Sequence, residues 1–393
     1  MKINEILKPS FWKVISVLIV IIGLFSTFNR FYYGLGATTN LHDMIPWGLW
    51  IGFDFIGVGL AAAGFTIAAT VHIFNIHKYE PLVRPAILTA YLSYSVVVFL
   101  LIIDLGRPEH FWHPLVMWNI HSVMFEITWC LICYTTVLIL EFAPVVLKKY
   151  NIIAPIKYLK KISIPVIIAG IIFSTLHQSS FGSLYLIVPN KLHPLWYSSL
   201  LPVHFFISCI AAGLSMIIFE SYQVARAFTR EDGFQNTELK LDILSGASFA
   251  VLIVLIAGLL LKIYDFVDNG KLSYLTVFST ETFLFYLEIV IGSVVPIWML
   301  SYKKFREDRK WLYIISVCVI CGLILNRLNV SITGLAASSG VNYFPSFDEI
   351  SITMMLAILA IFSFRTISKN FPVFVNVESD ETVVVSELIN QTK

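Results

Sequence analysis

Ten long apolar segments constrain the fold of this chain more than any other feature of its sequence. An α-helix needs roughly 20 consecutive, mostly apolar residues to span a bilayer. The segments that qualify are 11–34, 47–76, 85–105, 120–146, 162–187, 195–225, 241–264, 280–301, 311–328 and 349–367. Only 13% of the 393 residues are charged, against about 25% in a soluble domain. The sequence therefore predicts an all-α integral membrane protein with about ten transmembrane helices.

The distribution of basic residues predicts the orientation. Residues 1–367 are expected to form a single polytopic membrane domain, and 368–393 read as a mildly acidic tail. The first apolar segment is too long for a signal peptide and no small-residue cleavage site follows it, so it is expected to remain as an anchor helix. With the N-terminus in the cytoplasm, 21 of the 27 Lys and Arg residues lie in cytoplasmic loops and 6 on the other side. The positive-inside rule then places both termini, and the tail, in the cytoplasm.

Predicted helices two to five and six to nine carry similar short stretches in the same order. The matching stretches are LAAAG (60–64) with IAAG (210–213), LIIDLGRP (101–108) with LLLKIYDF (259–266), and FEI (125–127) with LEI (287–289). Equivalent helices run in the same direction, which is typical of a parallel repeat about an axis along the membrane normal. The pattern predicts two parallel-related four-helix bundles, with the first and last helices flanking them.

Ionisable and phenolic side chains inside the apolar segments fall at two depths. Such groups are costly in a membrane and mark functional sites. Near the predicted outer face lie Asp54, Asp104, Arg107, Glu126, His177, His204, Glu288 and Arg327. Nearer the cytoplasm lie His72, Tyr91, Glu141 and Glu220, with Tyr94 and Tyr134 between the two levels. A ring of such groups favours a site for a molecule that takes up protons.

The third helix ends in an acid and a base, in the stretch LIIDLGRPEHFWHP (101–114). Asp104 and Arg107 are spaced i,i+3, so their side chains are expected to face each other. Pro108 then stops the helix. Taken alone, this pair is equally consistent with an interfacial salt bridge, and the company of the other buried ionisable groups is what indicates a site.

His177 admits three interpretations: a hydrogen-bonded core histidine, a proton donor to a quinone, or a haem ligand. A haem-binding bundle usually offers pairs of histidines at matched depth. His177 and His204 could form one such pair, but the remaining histidines lie in loops or at helix ends, so no haem is expected. Two C-x-x-C pairs, at 130/133 and 318/321, are more typical of small packing residues than of metal ligands, and no metal site is predicted.

Catalytic motifs for hydrolysis are missing from the sequence. It has no Gly-rich phosphate loop, no nucleophile elbow and no zinc signature. It also offers no redox centre of its own, so a role in electron transfer requires a partner that supplies the electrons.

Four stretches of the sequence resemble the NrfD-like family of quinone-reactive membrane subunits. They are PWGLWIGFDFIGVGLAAAGF (46–65), DLGRPEHFWHP (104–114), TLHQSSFGSLY (175–185) and NRLNVSITG with YFPSFDEI (326–350). The last of these is similar to the HybB branch, the integral membrane subunit of periplasmic nickel–iron uptake hydrogenases. The resemblance runs over nearly the whole chain.

The resemblance implies a non-catalytic partner of the hydrogenase that itself reduces quinone. A periplasmic ferredoxin-like iron–sulfur subunit, docked on the small and large hydrogenase subunits, would carry the clusters and pass electrons to menaquinone or ubiquinone at a bacterial inner membrane. By similarity, the quinone site would comprise Asp54, Asp104, Arg107, His177 and His204. Proton transfer to the quinone would be carried out by Glu126 and His177. The proton path would run through Glu220, Tyr91 and Tyr94. The alternatives are the same role in a polysulfide, tetrathionate or cytochrome-linked complex, and a secondary transporter.

Overall fold

The computed structural model describes residues 11–188, 190–228, 240–341, 343–371, 373 and 374, and these form helices and connecting segments without a β-strand. Ten helices are long and apolar enough to cross a membrane. They are α1 (Phe11–Tyr33), α2 (Leu49–His72), α3 (His77–Asp104), α4 (Val123–Lys149), α5 (Ser163–Leu186), α6 (Leu201–Ala227), α7 (Leu241–Asp268), α8 (Thr280–Ser301), α9 (Arg309–Ser339) and α10 (Phe347–Asn370). The predicted all-α membrane class and the ten spans are confirmed. Most of the predicted tail lies outside the described residues.

The helices pack as two closed rings with two flanking helices. In the first ring α2 packs on α3, α3 on α4, α4 on α5 and α5 on α2. In the second ring α6 packs on α7, α7 on α8, α8 on α9 and α9 on α6. The rings adjoin through α5 with α6 and through α2 with α6 and α9, while α10 packs on α1 and α3. The relation of the two rings by a parallel repeat stays a prediction.

Buried apolar side chains form one core at each end of the helices. One core contains Phe55, Tyr94, Leu184 and Phe285, and we call this end of the molecule the Asp104 end. The other contains residues from the opposite ends of the same helices, such as Val71 and Leu312, and we call it the Glu220 end. Since consecutive helices alternate in direction, all even-numbered helices begin at the Asp104 end.

The two LAAAG-like stretches contact each other where the rings meet. Helix α2 is interrupted at Ala61 and Ala62, where backbone N–H groups bond to carbonyls three or four residues back. Gly213 of α6 lies against this turn, and a Cβ at that position would come within 2.4 Å of the Ala63 nitrogen. Equivalent segments that face each other are what a two-fold axis between the rings requires, so this contact agrees with the predicted repeat.

Two helices of the second ring contain a π-helical turn. The turn Val290–Val294 of α8 immediately precedes Pro296, whose ring would clash with the carbonyl four residues earlier in a regular α-helix. The turn Asn329–Thr333 lies in α9, which continues to Ser339, whereas the sequence predicted its end at 328. Interrupted helices also occur in secondary transporters, so these turns are compatible with the transporter alternative.

Candidate functional site

Arg30 of α1 caps the end of α3 at the Asp104 end. Its side chain is 1% exposed. Its Nε donates to the carbonyl oxygen of Ile103 at 2.8 Å, and its Nη2 donates to that of Leu105 at 2.5 Å. The last carbonyls of a helix have no partner within the helix, and a cation there also complements the helix dipole. Sequence reasoning counted Arg30 only as a loop charge, because nothing local relates it to a turn more than 70 residues away.

The predicted pairing of Asp104 with Arg107 is wrong. Helix α3 ends at Asp104, Leu105 is extended, and Arg107 is exposed at the start of a short 3-10 turn. Within the described ranges these two side chains form no ion pair of 4.0 Å or less. The i,i+3 spacing brings side chains together only while the helix continues, and here it does not. Arg30 is the cation that acts on Asp104 electrostatically, although these two also form no ion pair of 4.0 Å or less within the described ranges.

Asp54 is a buried carboxylate without a protein partner. It is 1% exposed, and neither of its oxygens accepts a hydrogen bond from any residue that the structure describes. It lies one turn after Trp50, whose indole N–H donates to the carbonyl oxygen of Glu349 at 3.2 Å. It interacts electrostatically with Asp104. Since buried carboxylates are normally paired or hydrogen-bonded, Asp54 is the group most in need of a ligand or a proton.

Glu349 of α10 is a second buried carboxylate at this end, and it is fully satisfied. It accepts hydrogen bonds from the backbone N–H of Asn40 at 3.0 Å and of Ser346 at 2.8 Å, and from the Tyr343 hydroxyl. Burial, together with the adjacent carboxylate, raises the pKa of the Tyr343 hydroxyl. Glu349 is therefore a structural anchor between α10 and the segment before α2, and nothing in the local sequence distinguishes it from a helix cap at the surface.

A string of polar side chains leads from the surface into the first ring. Glu126 is exposed, and it accepts a hydrogen bond from the Ser180 hydroxyl at 2.6 Å. His177 is fully buried, and neither imidazole nitrogen forms a hydrogen bond of 3.5 Å or less with a described residue, although the Ile127 backbone acts on the ring. Its ring lies 5.5 Å from that of Tyr94, which in turn lies 4.6 Å from that of Tyr134. The structure thus brings together three predicted residues, Glu126, His177 and Tyr94, and adds Tyr134 to them.

A cavity of about 140 Å³ extends this string toward the Glu220 end. His72, Glu141 and Lys160 lie in its wall. Glu141 and the ring of Tyr134 both lie close to Gly170. A Cβ at Gly170 would lie 3.7 Å from Glu141 Oε1 and 3.8 Å from Tyr134 Cε2, and 3.0 Å from Val137 Cγ1. Glu141 was recognised in the sequence only as one of several polar groups at this depth.

Glu220 lies at the contact between the two rings rather than in the string. It is 5% exposed, and the Thr89 hydroxyl lies within 2.6 to 2.7 Å of its oxygens. Arg226 is exposed, and the two form no ion pair of 4.0 Å or less in the described part of the chain. Tyr91 stacks on Phe142 at 5.5 Å rather than on Tyr94.

His204 does not join the predicted first-ring site, because it faces the second ring. It lies in the wall of a cavity of about 110 Å³ together with Lys262, Glu288 and Asn326, whereas the neighbouring Phe205 packs on Phe55 of the first ring. His177 and His204 thus face different rings. Trp196 is 3% exposed and donates to Glu288 at 2.9 Å, so it belongs to the core and not to an exposed interface.

Sulfur and carboxylate groups are scattered rather than clustered. The five cysteines are free thiols. Nowhere in the described ranges do three or more His, Cys, Asp or Glu side chains come together as a metal-binding group.

Comparison with known proteins finds relatives that cover nearly the full chain. The family model described as "Polysulphide reductase, NrfD" matches residues 37–338. A protein of Nitratidesulfovibrio vulgaris is 37% identical over 367 residues, covering 92% of this chain and 93% of that protein. The "Probable Ni/Fe-hydrogenase 2 b-type cytochrome subunit" of Escherichia coli is 29% identical, covering 90% of each chain. The "Menaquinone reductase, integral membrane subunit" of N. vulgaris is 24% identical, covering 90% of this chain and 88% of that protein.

Proposed function

Because this chain belongs to the NrfD family, a family of membrane subunits of quinone-linked oxidoreductase complexes, we propose that it passes electrons from a periplasmic nickel–iron hydrogenase to menaquinone or ubiquinone. The hydrogenase assignment is supported by the NRLNVSITG and YFPSFDEI stretches and by the similarity to the E. coli subunit over 90% of each chain. The same role in a polysulfide or tetrathionate complex is the second candidate.

One observation carries the quinone assignment: buried polar groups in the first ring have no hydrogen-bond partner among the described residues. Neither oxygen of Asp54 and neither ring nitrogen of His177 forms a hydrogen bond there. A quinone needs hydrogen-bond donors at its carbonyls, and its reduction to a quinol takes up two electrons and two protons. In this proposal His177 and the protonated form of Asp54 donate to the quinone carbonyls, and Glu126, held by Ser180 at 2.6 Å, supplies a proton. Arg107, which is exposed, has no role at the ring.

Electrons must come from outside the chain, and the exposed aromatic side chains at the Asp104 end offer a surface for the donor. Phe111 is 56% exposed, Trp112 43% and Trp118 64%. Large exposed aromatics are typical of the core of a protein–protein interface. We assign loops 107–119 and 186–195 to contact with a ferredoxin-like iron–sulfur subunit, and with it the Asp104 end to the periplasmic side of the inner membrane. The distribution of Lys and Arg supports this orientation.

Protons for the quinone are proposed to come from the Glu220 end. One route runs from the cavity at Glu141 past Tyr134 and Tyr94 to His177, and it is supported by the ring distances and by the position of Glu141 and Tyr134 on either side of Gly170. Glu220 and Tyr91 form a second route at the contact between the rings. Uptake of protons from the cytoplasm during periplasmic hydrogen oxidation would separate charge across the membrane.

Haem is not part of this proposal. The two best-placed histidines, His177 and His204, face different rings, and iron–sulfur clusters are assigned only to the partner. The name of the E. coli relative, a probable b-type cytochrome subunit, weighs against the absence of haem, and a reduced-minus-oxidised spectrum of the purified chain decides between the two.

Hydrogen-dependent quinone reduction tests the proposed function. Membranes from a strain that lacks this chain should retain hydrogen-dependent dye reduction by the partner enzyme but lose hydrogen-dependent quinone reduction, and the chain supplied in trans should restore it. If polysulfide or tetrathionate, and not hydrogen, exchanges electrons with quinone only when this chain is present, the second candidate is correct. Uptake of a solute that requires the chain, with no change in quinone reduction, would point to a transporter.

A further inference from the structure

The second ring encloses a cavity that the proposed function does not use. All four helices α6 to α9 contribute to its wall, and its volume is about 110 Å³. One part of the wall is polar and contains His204, Lys262, Glu288 and Asn326. Another part is apolar and contains Val254, Leu255, Val319 and Leu323. The cavity is thus amphipathic, as a site for a polar ring with an apolar chain would be.

Three glycines and a π turn lie in the wall of this cavity. Gly258, Gly292 and Gly322 all lie in its wall. A Cβ on Gly322 would come within 2.1 Å of the Gly292 Cα, so α8 and α9 are in backbone contact there. The π turn that contains Gly292 also directs Ser293 to the cavity. Since π turns occur frequently at functional sites, the wall has the features of a built site rather than of a packing defect.

The charge of Lys262 in this cavity is compensated by Glu288, so the polar groups left for a ligand are hydrogen-bond donors without net charge. Glu288 accepts from Lys262 at 3.0 Å, from Asn326 at 2.8 Å, from Trp196 at 2.9 Å and from Asn329 at 3.1 Å. The ammonium of Lys262 has three N–H donors, of which this contact uses one. His204 Nε2 has no partner among the described residues.

A ligand for this cavity must therefore be uncharged and must accept hydrogen bonds. An anionic lipid headgroup is disfavoured because Lys262 is paired with Glu288, and Asp265, also in the wall, is paired with Lys271 at 2.9 Å. The volume is on the order of one six-membered ring, since an apolar cavity of roughly 150 Å³ holds a benzene molecule. A quinone ring combines two carbonyl acceptors with a flat apolar body and an apolar chain.

We propose that this second-ring cavity binds the ring of a second quinone molecule, with Lys262 and His204 donating to its carbonyls. The inference rests on the proposed function only for the class of ligand. The carboxylate of Glu288 already accepts four hydrogen bonds and has no proton to give, in contrast to the bare Asp54 of the first ring. The second quinone is accordingly held in place and is not the molecule that turns over.

Counting bound quinone tests the proposal. The probe is a benzoquinone with a ten-carbon chain, titrated into quinone-depleted, purified complex in nanodiscs and quantified after solvent extraction. Wild type should bind two molecules saturably per chain. Ser293→Phe fills the cavity and should bind one. Val294→Phe introduces the same side chain at the next residue. Val294 is 44% exposed and lies outside the cavity wall, so this variant should bind two molecules. One molecule in wild type, or two in Ser293→Phe, would overturn the proposal.

Lys262→Met provides a second variant that removes the donor without filling the cavity. Glu288 keeps three of its four donors, so the fold should survive. The weaker of the two binding steps should become about tenfold weaker, as expected for loss of one charge-assisted hydrogen bond; an unchanged affinity would contradict the role of Lys262. Wild-type complex that binds two quinones, of which Ser293→Phe binds only one, but that does not reduce quinone would refute the proposed function and leave this inference standing.

Discussion

Replacement of Arg30 by methionine should unfold the last turn of α3 locally. The substitution keeps an apolar side chain of similar length and removes the two hydrogen bonds to the carbonyl oxygens of Ile103 and Leu105. Ile103 is 6% exposed and Leu105 is 40% exposed, so water can replace the bond to Leu105 but hardly the bond to Ile103. A hydrogen bond from a charged donor contributes about 1.5–3 kcal/mol, whereas an average one in a membrane protein contributes about 0.6.

The bond to Ile103 is taken as a charged-donor bond, and the bond to the more exposed Leu105 as an average one. Their sum gives a loss of about 2–4 kcal/mol in the free energy of local opening. Each 1.4 kcal/mol corresponds to a factor of about ten, so the protection of the amides in this turn should fall roughly 30-fold to several hundred-fold. Hydrogen–deuterium exchange on the purified complex measures it, with the Leu105 amide, bonded to Leu101 at 3.0 Å, as the reporter. Arg107→Met is the matched control, and its protection should stay within about threefold of wild type. Equal protection in wild type and Arg30→Met, or a larger loss in Arg107→Met, would refute the capping role.

The proposed function makes three further predictions. Cysteine crosslinkers placed in 107–119 should capture the iron–sulfur partner, and capture only from 148–161, at the Glu220 end, would reverse the orientation. A reduced-minus-oxidised spectrum of the purified chain should lack b-type absorption, and stoichiometric absorption would establish a haem. Glu220→Gln should slow hydrogen-dependent quinone reduction in intact membranes about a hundredfold, which is the contribution of one acid–base group. Dye reduction by the partner should be unchanged. A normal rate of quinone reduction together with a normal membrane potential would exclude Glu220 from the proton path and leave the route through Glu141.

Helix number and class could be predicted from the sequence because they depend on local composition. Each apolar run is long enough to span a bilayer, and the ten helices appear where these runs are. The end of α9 was missed since NRLN (326–329) looks like a polar boundary. Those side chains instead point inward: Asn326 and Asn329 both donate to Glu288 of α8, and the helix continues through a π turn to Ser339.

The candidate site was predictable in its residue types but not in its pairings. His177 and Tyr94 do gather inside the first ring, because buried polar groups in a membrane helix face the protein interior, whereas Glu126 lies at its surface. The partner of Asp104 was misassigned because the sequence shows spacing and not the point at which a helix ends. Arg30 was missed for a related reason: its contacts are with α3, and α1 lies outside residues 37–338, which the NrfD family model matches.

The central claim, that the first ring holds the quinone that is reduced, is tested most directly by His177→Leu. The imidazole nitrogens form no hydrogen bond of 3.5 Å or less with a described residue, and the one polar group that acts on the ring, the Ile127 backbone, lies within a helix, so an apolar residue of similar size should preserve the fold. Hydrogen-dependent quinone reduction and hydrogen-dependent dye reduction are then measured on the same purified complex. The account predicts that quinone reduction falls about a hundredfold or more while dye reduction is unchanged. Quinone reduction at the wild-type rate in His177→Leu would contradict it.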